Sequence, residues 1–348
     1  MGSDSGSTGL ESASPGPDIG SGLSHVVERD FGRGAQVVGL QRLSGGASQE
    51  LWAFDVENCG RRLELILRRN PGGTVRRENA AGMETEARLI GLAREAGAPV
   101  PRIGYVLTPE DGLGSGYIMQ RIEGETLARR ILRDAEYADA RPRLAGQLGA
   151  AAARIHAIDL ADAGDLRRVT VESSLDASYA LYRANGKRRP VVEWAFRWLR
   201  ENRPTDNAAP CVVHGDMRNG NIIVGPDGLR AVIDWEVVHI GDPMEDLAWI
   251  CVTSWRFGEI DKPAGGFGTR EDLFAGYEAA GVGRVDADRV RFWETLGVLR
   301  WGLSCALMAR EFQQGDRSVE RAAIGRRASE TEIDLMAMLA PRRGSRHA

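Results

Sequence analysis

The sequence is poor in cysteine and carries little net charge. Its four cysteines, among 348 residues, are widely spaced and form no Cys-x-x-Cys pair. Neither a disulfide framework nor a zinc site is therefore expected. The formal net charge is only −4, which gives none of the basic footprint of a nucleic-acid-binding protein. We predict no nucleic-acid partner.

Long apolar segments are also absent. No apolar run reaches the roughly 20 residues that span a bilayer, so we predict no membrane partner. Residues 1–22 are rich in Gly, Ser and Pro and lack the apolar core of a secretory signal. We expect these residues to form a disordered tail. We also expect the protein to be cytoplasmic. The remaining composition, 43% hydrophobic and 27% charged, is typical of one large or two modest globular domains.

The most informative stretch is VVHGDMRNGNIIVGPDGLRAVIDWEVVHIGDPMEDL, residues 212–247. Short apolar runs in and beside it predict three strands, at residues 211–213, 222–224 and 229–233. Asp216 and Asn221 follow the first strand, and Asp234 follows the third. Loops at strand ends are where a rigid scaffold presents polar groups to a ligand.

Two carboxylates and one carboxamide in this order suit phosphoryl transfer. One carboxylate accepts the proton of an attacking hydroxyl, while the carboxamide and the second carboxylate hold Mg²⁺ on the nucleotide phosphates. With His214, the residues Asp216 and Asn221 keep the spacing of the kinase loop H-R-D-x-x-x-x-N, with Gly215 in place of the Arg. The structural alternatives are Asx turns in the loop and a turn cap at Asp234.

The motifs HGDMRNGNII, VIDWE and GDPMEDLA resemble the aminoglycoside phosphotransferase and choline kinase-like family. Within it, they are most similar to the phosphotransferases related to the kinase domain of some acyl-CoA dehydrogenases. The resemblance implies an α+β, bilobal protein kinase-like fold. A small antiparallel β-sheet N-lobe is expected at 23–121, a larger, mainly helical C-lobe at 122–340, and a tail at 341–348. It also implies Mg²⁺ and ATP, with GTP as the alternative nucleotide.

The resemblance assigns nucleotide binding to two segments of the N-lobe. Strands predicted at 37–43 and 50–56 flank a loop whose amides can donate to phosphate oxygens, namely Ser44, Gly45, Gly46 and Ser48. A plain turn is the alternative for that loop. The hinge between the lobes is expected to contact adenine through Met119, Gln120 and Ile122.

A basic residue on the third predicted strand, 62–68, takes the place of the phosphate-binding kinase Lys. The resemblance favours Arg68, with Arg69 as its rival, because Arg68 matches the Leu-Arg pattern of this subgroup. A guanidinium binds phosphate well, so an arginine can take the place of the lysine. A solvated strand-end arginine is the structural alternative. Glu86, with Glu84 as its rival, is expected to pair with Arg68 from a helix at 84–96.

Several neighbours of the loop are expected to be structural. His214 supports the loop rather than catalysing. Asp242 is predicted as the N-cap of a helix with Pro243 at its first position. The resemblance implies that Asp246, on that helix, hydrogen-bonds back to the loop.

The acceptor is expected to be a small-molecule alcohol. The helix predicted at 243 follows Asp234 so closely that no peptide platform fits between them. A helix at 291–312 offers a wall, and the candidate acceptor residues are Glu236, Trp293, Arg300 and Trp301. The alternatives are that these residues pack the lobe and that Arg300 pairs with Glu311 or another helix.

We therefore hypothesise an ATP-dependent phosphotransferase in which Asp216 is catalytic and Asn221 and Asp234 bind the metal. The helices that follow are rich in Trp and Arg, which disfavours a polycationic aminoglycoside acceptor. The competing hypotheses are a nucleotide-binding pseudokinase with a sensing or scaffolding role and a true aminoglycoside O-phosphotransferase.

Overall fold

The structure, a computed structural model, describes residues 19–43, 49–72, 80–205 and 208–340. Contacts divide the chain into two compact units, one within Met1–Arg76 and Ile103–Arg121, the other within Arg77–Arg102 and Ile122–Ala348. The first contains a sheet and one helix, and the second is mainly helical, so the predicted α+β class is confirmed. The helix expected in the N-lobe at 84–96 belongs by its contacts to the second unit.

The first unit is an antiparallel sheet with one helix. Its five strands have the order β1-β2-β3-β5-β4. Side chains alternate between the two faces of each strand, and Phe54, Leu65 and Ile118 belong to the core cluster of this unit. The elements are α1 (Ile19–Phe31), β1 (Gln36–Leu43), β2 (Glu50–Asn58), β3 (Arg61–Asn70), β4 (Ile103–Val106) and β5 (Ser115–Gln120).

Helix α1 corrects the expectation of a tail extending to residue 22, and it precedes the first predicted strand, at 37–43. The helix begins at Ile19, and Leu23, Val26 and Val27 are fully buried in the core cluster of the sheet. Their spacing, i, i+3 and i+4, is that of one apolar helix face. The preceding Gly- and Ser-rich residues hid this signal because they lower the apparent helix propensity of the segment.

The second unit holds the other helices and two small antiparallel sheets. One sheet pairs β6 with β9 and the other pairs β7 with β8. The strands are β6 (Cys211–Val213), β7 (Ile222–Gly225), β8 (Gly228–Val232) and β9 (His239–Gly241). The helices are α2 (Met83–Glu95), α3 (Ala128–Arg133), α4 (Arg141–His156), α5 (Leu160–Ala163), α6 (Val171–Ala184), α7 (Pro190–Glu201), α8 (Met244–Cys251), α9 (Arg270–Ala279), α10 (Ala287–Gln313), α11 (Val319–Gly325) and α12 (Ala328–Leu339).

The three strands predicted around the central motif are present, and a fourth, β9, was not predicted. It lies between Asp234 and α8 and returns antiparallel to β6. Over the described ranges, no helix combines the length and the apolar character needed to cross a bilayer.

Candidate active site

The β7–β8 hairpin brings Asn221 and Asp234 to the same end of two paired strands. Ile222 pairs with Val232, and the N–H of Ile233 donates to the Asn221 carbonyl over 2.9 Å. Asp234 then adopts a left-handed backbone with φ 67°, a conformation that Asp tolerates better than most residues. Such backbone conformations are enriched at functional sites.

Asp216 is held by three hydrogen-bond donors. Its Oδ1 accepts from Nε of Arg218 over 2.9 Å and from the indole Nε1 of Trp249 over 2.7 Å. Its Oδ2 accepts from Nδ2 of Asn221 over 2.6 Å. A carboxylate offers about four lone-pair directions, so one direction on Oδ2 is left for a further donor, such as the hydroxyl of an acceptor.

The amide of Asn221 is oriented by the same contacts. Nδ2 donates to both the carboxylate and the carbonyl of Asp216, while Oδ1 accepts no hydrogen bond from the part of the chain that the structure describes. The amide oxygen of Asn221 and the carboxylate of Asp234, two residues at the same end of this hairpin, are oxygen ligands of the kind that Mg²⁺ prefers. In the described ranges no group of three or more His, Cys, Asp or Glu side chains could hold a metal. A metal here would be bound by Asn221 and Asp234, with phosphates and water completing its coordination.

Asp246, on α8, binds the backbone of the loop that follows β6. Its two carboxylate oxygens accept the N–H groups of His214 and Gly215 over 2.9 and 2.8 Å, and Oδ2 also lies 3.1 Å from Nε2 of His156. Burial opposes ionisation, but the hydrogen bond and charge of His156, with the loop donors, lower the pKa of Asp246. The predicted hydrogen bond from Asp246 back to the loop is confirmed.

The predicted structural role of His214 is also supported. The side chain is completely buried, burial lowers its pKa, and its Nδ1 accepts the N–H of Asp216 over 3.2 Å. A neutral ring holding the loop backbone leaves the base assignment to Asp216. The next residue, Gly215, has φ 82°, and a Cβ there would lie 3.0 Å from the Val237 carbonyl oxygen and 3.2 Å from the His239 ring.

The start of α8 lies one residue beyond its predicted position. Met244 is the first helical residue, and Pro243 occupies the N-cap. The side chain of Asp242 still caps the helix, because its Oδ1 accepts the Met244 N–H over 2.9 Å. Its Oδ2 accepts from Nε of Arg289 over 2.8 Å.

An aromatic cluster continues from Asp216 to α10. The Trp249 and Trp255 rings lie 5.4 Å apart, and those of Trp255 and Trp301 lie 4.8 Å apart. The guanidinium of Arg218 lies over Trp255 at 4.6 Å, and that of Arg300 lies over Trp249 at 6.0 Å. Two of the candidate acceptor residues, Arg300 and Trp301, are thereby linked to the loop that carries Asp216.

Arg300 pairs internally, as one alternative anticipated, but with Glu245 on α8 at 2.9 Å rather than with Glu311. Its side chain keeps 40% exposure. Trp293 is placed differently, 2% exposed and packed against Phe292. Glu236 is partly buried, and its backbone carbonyl accepts the Ala81 N–H.

The residues predicted to bind nucleotide stay predictions. Ser44, Gly45, Gly46 and Ser48 lie outside the described residues. Arg68 is buried on β3 between Leu51 and Tyr117. Glu86 is buried on α2 in the other unit. Met119 and Gln120 end β5, and Ile122 follows it.

Two partners of the Asp216 carboxylate, Arg218 and Trp249, were missed by sequence reasoning. A signal for Trp249 was available. It lies three residues after Asp246 on α8, and residues at i and i+3 share a helix face. Once Asp246 was expected to contact the loop, Trp249 was the next side chain on that face.

Residues 39–282 match the phosphotransferase enzyme family, and the chain belongs to that family. Among curated proteins it is similar to acyl-CoA dehydrogenase family member 11 of Gallus gallus, 30% identical over 62% of this chain and 28% of that protein. Family member 10 of Mus musculus is 28% identical over 54% of this chain and 18% of that protein. The chain thus spans less than a third of either relative.

Solved structures show the same fold. A candidate aminoglycoside phosphotransferase from Ralstonia eutropha has a TM-score of 0.70 at 20% identity, covering 91% of this chain and 97% of that one. A choline/ethanolamine kinase family protein from Mesorhizobium loti has a TM-score of 0.61 at 19% identity, covering 87% and 89%. Aminoglycoside phosphotransferase APH(4)-Ia, in complex with AMP-PNP and hygromycin B, has a TM-score of 0.60 at 17% identity, covering 91% and 99%.

Proposed function

We propose that the protein transfers the terminal phosphoryl group of ATP to a hydroxyl of a small molecule other than a polycationic aminoglycoside. The observation that carries this proposal is the environment of Asp216. Three donors fix its carboxylate, and one acceptor direction remains, beside an Asn221 whose amide oxygen takes no hydrogen bond from the described residues. Family membership and the AMP-PNP complex of the APH(4)-Ia structure support it.

The residues take the following roles in this proposal. Asp216 orients the acceptor hydroxyl and receives its proton as the hydroxyl oxygen attacks phosphorus. Asn221 and Asp234 hold Mg²⁺, which neutralises phosphate charge when bound. Arg68 binds the nucleotide phosphates. All four cysteines are free thiols, which is consistent with a cytoplasmic protein.

The aromatic cluster supports the choice of acceptor. Indole faces attract cations, but Arg218 already lies over Trp255 and Arg300 over Trp249. A polyamine would meet two guanidinium groups there. A desolvated charge without a partner costs several kcal/mol, so a neutral or anionic acceptor is the better fit.

The test of the catalytic assignment is Asp216→Asn. We expect turnover to fall by about 10²–10⁴-fold, the usual contribution of a positioned base, while nucleotide affinity measured by calorimetry stays near wild type. Asp227→Asn, an exposed aspartate in the β7–β8 turn, is the matched control. Wild-type turnover by Asp216→Asn would show that the base has been misassigned.

The metal assignment is tested separately with Asp234→Asn, because Asn also tolerates the left-handed backbone. We expect nucleotide affinity in Mg²⁺ to fall about tenfold or more, roughly 1.4 kcal/mol per factor of ten. Affinity in a chelator should not change. Equal losses in both conditions would indicate a folding defect instead of a lost metal ligand.

A second candidate function is aminoglycoside O-phosphotransfer, which the likeness to APH(4)-Ia favours. Kinetics with kanamycin-like and hydroxyacyl acceptors side by side separate the two. Aminoglycoside turnover with kcat/KM on the order of 10⁴ M⁻¹s⁻¹, as for ordinary substrates, would refute the acceptor proposal and leave phosphotransfer intact. ATP binding without turnover of any alcohol would instead favour a pseudokinase.

A further inference from the structure

A cavity open to the surface lies among the helices of the second unit. The cavity has a volume of about 500 Å³ and is bordered by α6, α7, α10, α11 and α12. Sites for small organic ligands typically have volumes of roughly 300–1,000 Å³. The cavity is therefore large enough for a ligand, not merely for a few water molecules.

Helix α10 separates this cavity from the catalytic loop. Leu299, Leu303 and Arg310 face the cavity, whereas Arg300 and Trp301 contact the aromatic cluster. At 3.6 residues per turn Trp301 lies on the opposite side of the helix from the cavity-lining residues, and Arg300 lies about a quarter turn from them. A ligand in the cavity would not occupy the proposed phosphotransfer site. Ligand binding in the cavity can therefore be inferred and tested independently of the proposed phosphotransferase function.

Close helix contacts show that the cavity is not a loosely packed region. A Cβ on Gly302 would lie 2.2 Å from Oγ1 of Thr331, and one on Gly325 would lie 2.8 Å from Cα of Ala309. Helices α11 and α12 thus already approach the α10 backbone as closely as glycine allows. The apolar floor of the cavity is formed by side chains at most 5% exposed, among them Val192, Leu303 and Leu335.

Positive charge exceeds negative charge among the lining residues. Three cationic side chains, Lys187, Arg189 and Arg310, face a single carboxylate, Glu332. Glu332 pairs with Arg189. Arg310 donates to the uncharged carbonyl of Ala184 over 2.7 Å, and Lys187 has no ion pair within the described part of the chain. Two positive charges are left without a carboxylate partner.

We propose that this cavity binds an organic anion with an apolar body. The body would pack on Val192, Leu303 and Leu335, and a carboxylate or phosphate head would pair with Lys187 and Arg310. Pockets that combine apolar walls with a few polar groups at defined positions fix a ligand's orientation in this way. A cationic amphiphile of equal size would meet the same two positive charges and is excluded.

Calorimetry and thermal unfolding of the full chain test this with three probes of one chain length, octanoate, octyl phosphate and octylammonium. We expect at least one of the anions to bind and to raise Tm, because a ligand that binds only the native state stabilises it. Octylammonium should bind at least tenfold more weakly. A preference between the two anions would identify the head group.

Two variants locate the site. Ala306→Phe fills the cavity, and the pair Lys187→Glu with Arg310→Glu reverses its charge; each should weaken anion binding at least tenfold. Lys262→Glu, an exposed lysine outside the lining, should bind as wild type does. The proposal fails if folded wild-type protein binds neither anion, if octylammonium binds equally well, or if both variants retain wild-type affinity.

Discussion

Trp249 donates its indole N–H to Oδ1 of Asp216 over 2.7 Å. The two residues are separated by 33 positions in the chain and lie on different elements, helix α8 and the loop after β6. The same helix provides Asp246, which binds the backbone of that loop. One face of α8 thus fixes both the backbone and the carboxylate of the proposed catalytic residue.

Trp249→Phe should therefore impair turnover without impairing nucleotide binding. A hydrogen bond to a charged group contributes about 1.5–3 kcal/mol, so we expect kcat to fall about tenfold or more as the carboxylate loses its orientation. The measurements are kcat and the dissociation constant for ATP. Trp194→Phe, at an indole 39% exposed on α7, is the control, and an equal loss of kcat in both variants would contradict a positioning role.

The local part of the site follows from sequence because its signals are local. Apolar runs predict the strands β6, β7 and β8, and their ends place Asp216, Asn221 and Asp234. The strand register then places Asn221 and Asp234 at the same end of the β7–β8 hairpin, since Ile222 pairs with Val232. These are effects of period and spacing.

Contacts between distant elements could not be predicted in this way. The partner of Arg300 was sought along its own helix at Glu311, but the three-dimensional packing of α8 against α10 provides Glu245 instead. Strand β9 was missed because three residues carry too little pattern, and its pairing with β6 depends on the fold.

Asp246→Asn is expected to destabilise the protein. The carboxylate accepts two backbone N–H groups, one on each oxygen, whereas an amide presents an NH₂ group to one of these donors. A buried donor left without an acceptor costs about 1–3 kcal/mol, and we expect a loss of about 2–4 kcal/mol with the contact to His156. Chemical denaturation at pH 7 measures this loss in the free energy of unfolding.

The pH dependence of this variant gives an independent check. The pKa of Asp246 is lowered in the folded protein, so its stabilisation is present above the unfolded pKa and is lost as pH falls through the folded pKa. The difference in the free energy of unfolding between wild type and Asp246→Asn should become smaller in acid. Asp261→Asn, at an exposed site, should have the same free energy of unfolding as wild type at every pH.

Gly215→Ala should lower the free energy of unfolding by more than the loss of glycine's backbone freedom alone explains. An alanine in the left-handed region costs about 1–2 kcal/mol, and here its Cβ would also lie 3.0 Å from the Val237 carbonyl oxygen. Gly281 is a matched control, because its φ is 86° and no atom lies within 4 Å of its Cβ position. We expect Gly215→Ala to be the more destabilising by about 1 kcal/mol or more, and equal losses would show that the loop relaxes freely.

The buried pair His239–Glu245 predicts a dependence of stability on pH that is opposite in direction to that of Asp246. Both ring nitrogens of His239 face acceptors, Nδ1 the Val237 carbonyl at 2.9 Å and Nε2 the Glu245 carboxylate at 3.2 Å. An imidazolium can donate to both. Burial opposes the charged form, but Glu245 prevails and raises the pKa of His239, despite the nearby charge of Arg167.

Because this pKa is raised on folding, the stabilisation is fully present below the unfolded value of about 6.5 and is lost as pH rises through the folded value. His239→Gln should therefore lower the free energy of unfolding most in mild acid, with the gap to wild type shrinking in alkali. Guanidinium groups do not deprotonate in proteins, so neighbouring arginines do not produce the trend. His25→Gln, at an exposed position on α1, is the control. Urea denaturation in steps from pH 5.5 to 9.5 measures both variants, and a gap for His239→Gln that widens with pH would show that the ring is neutral in the folded protein.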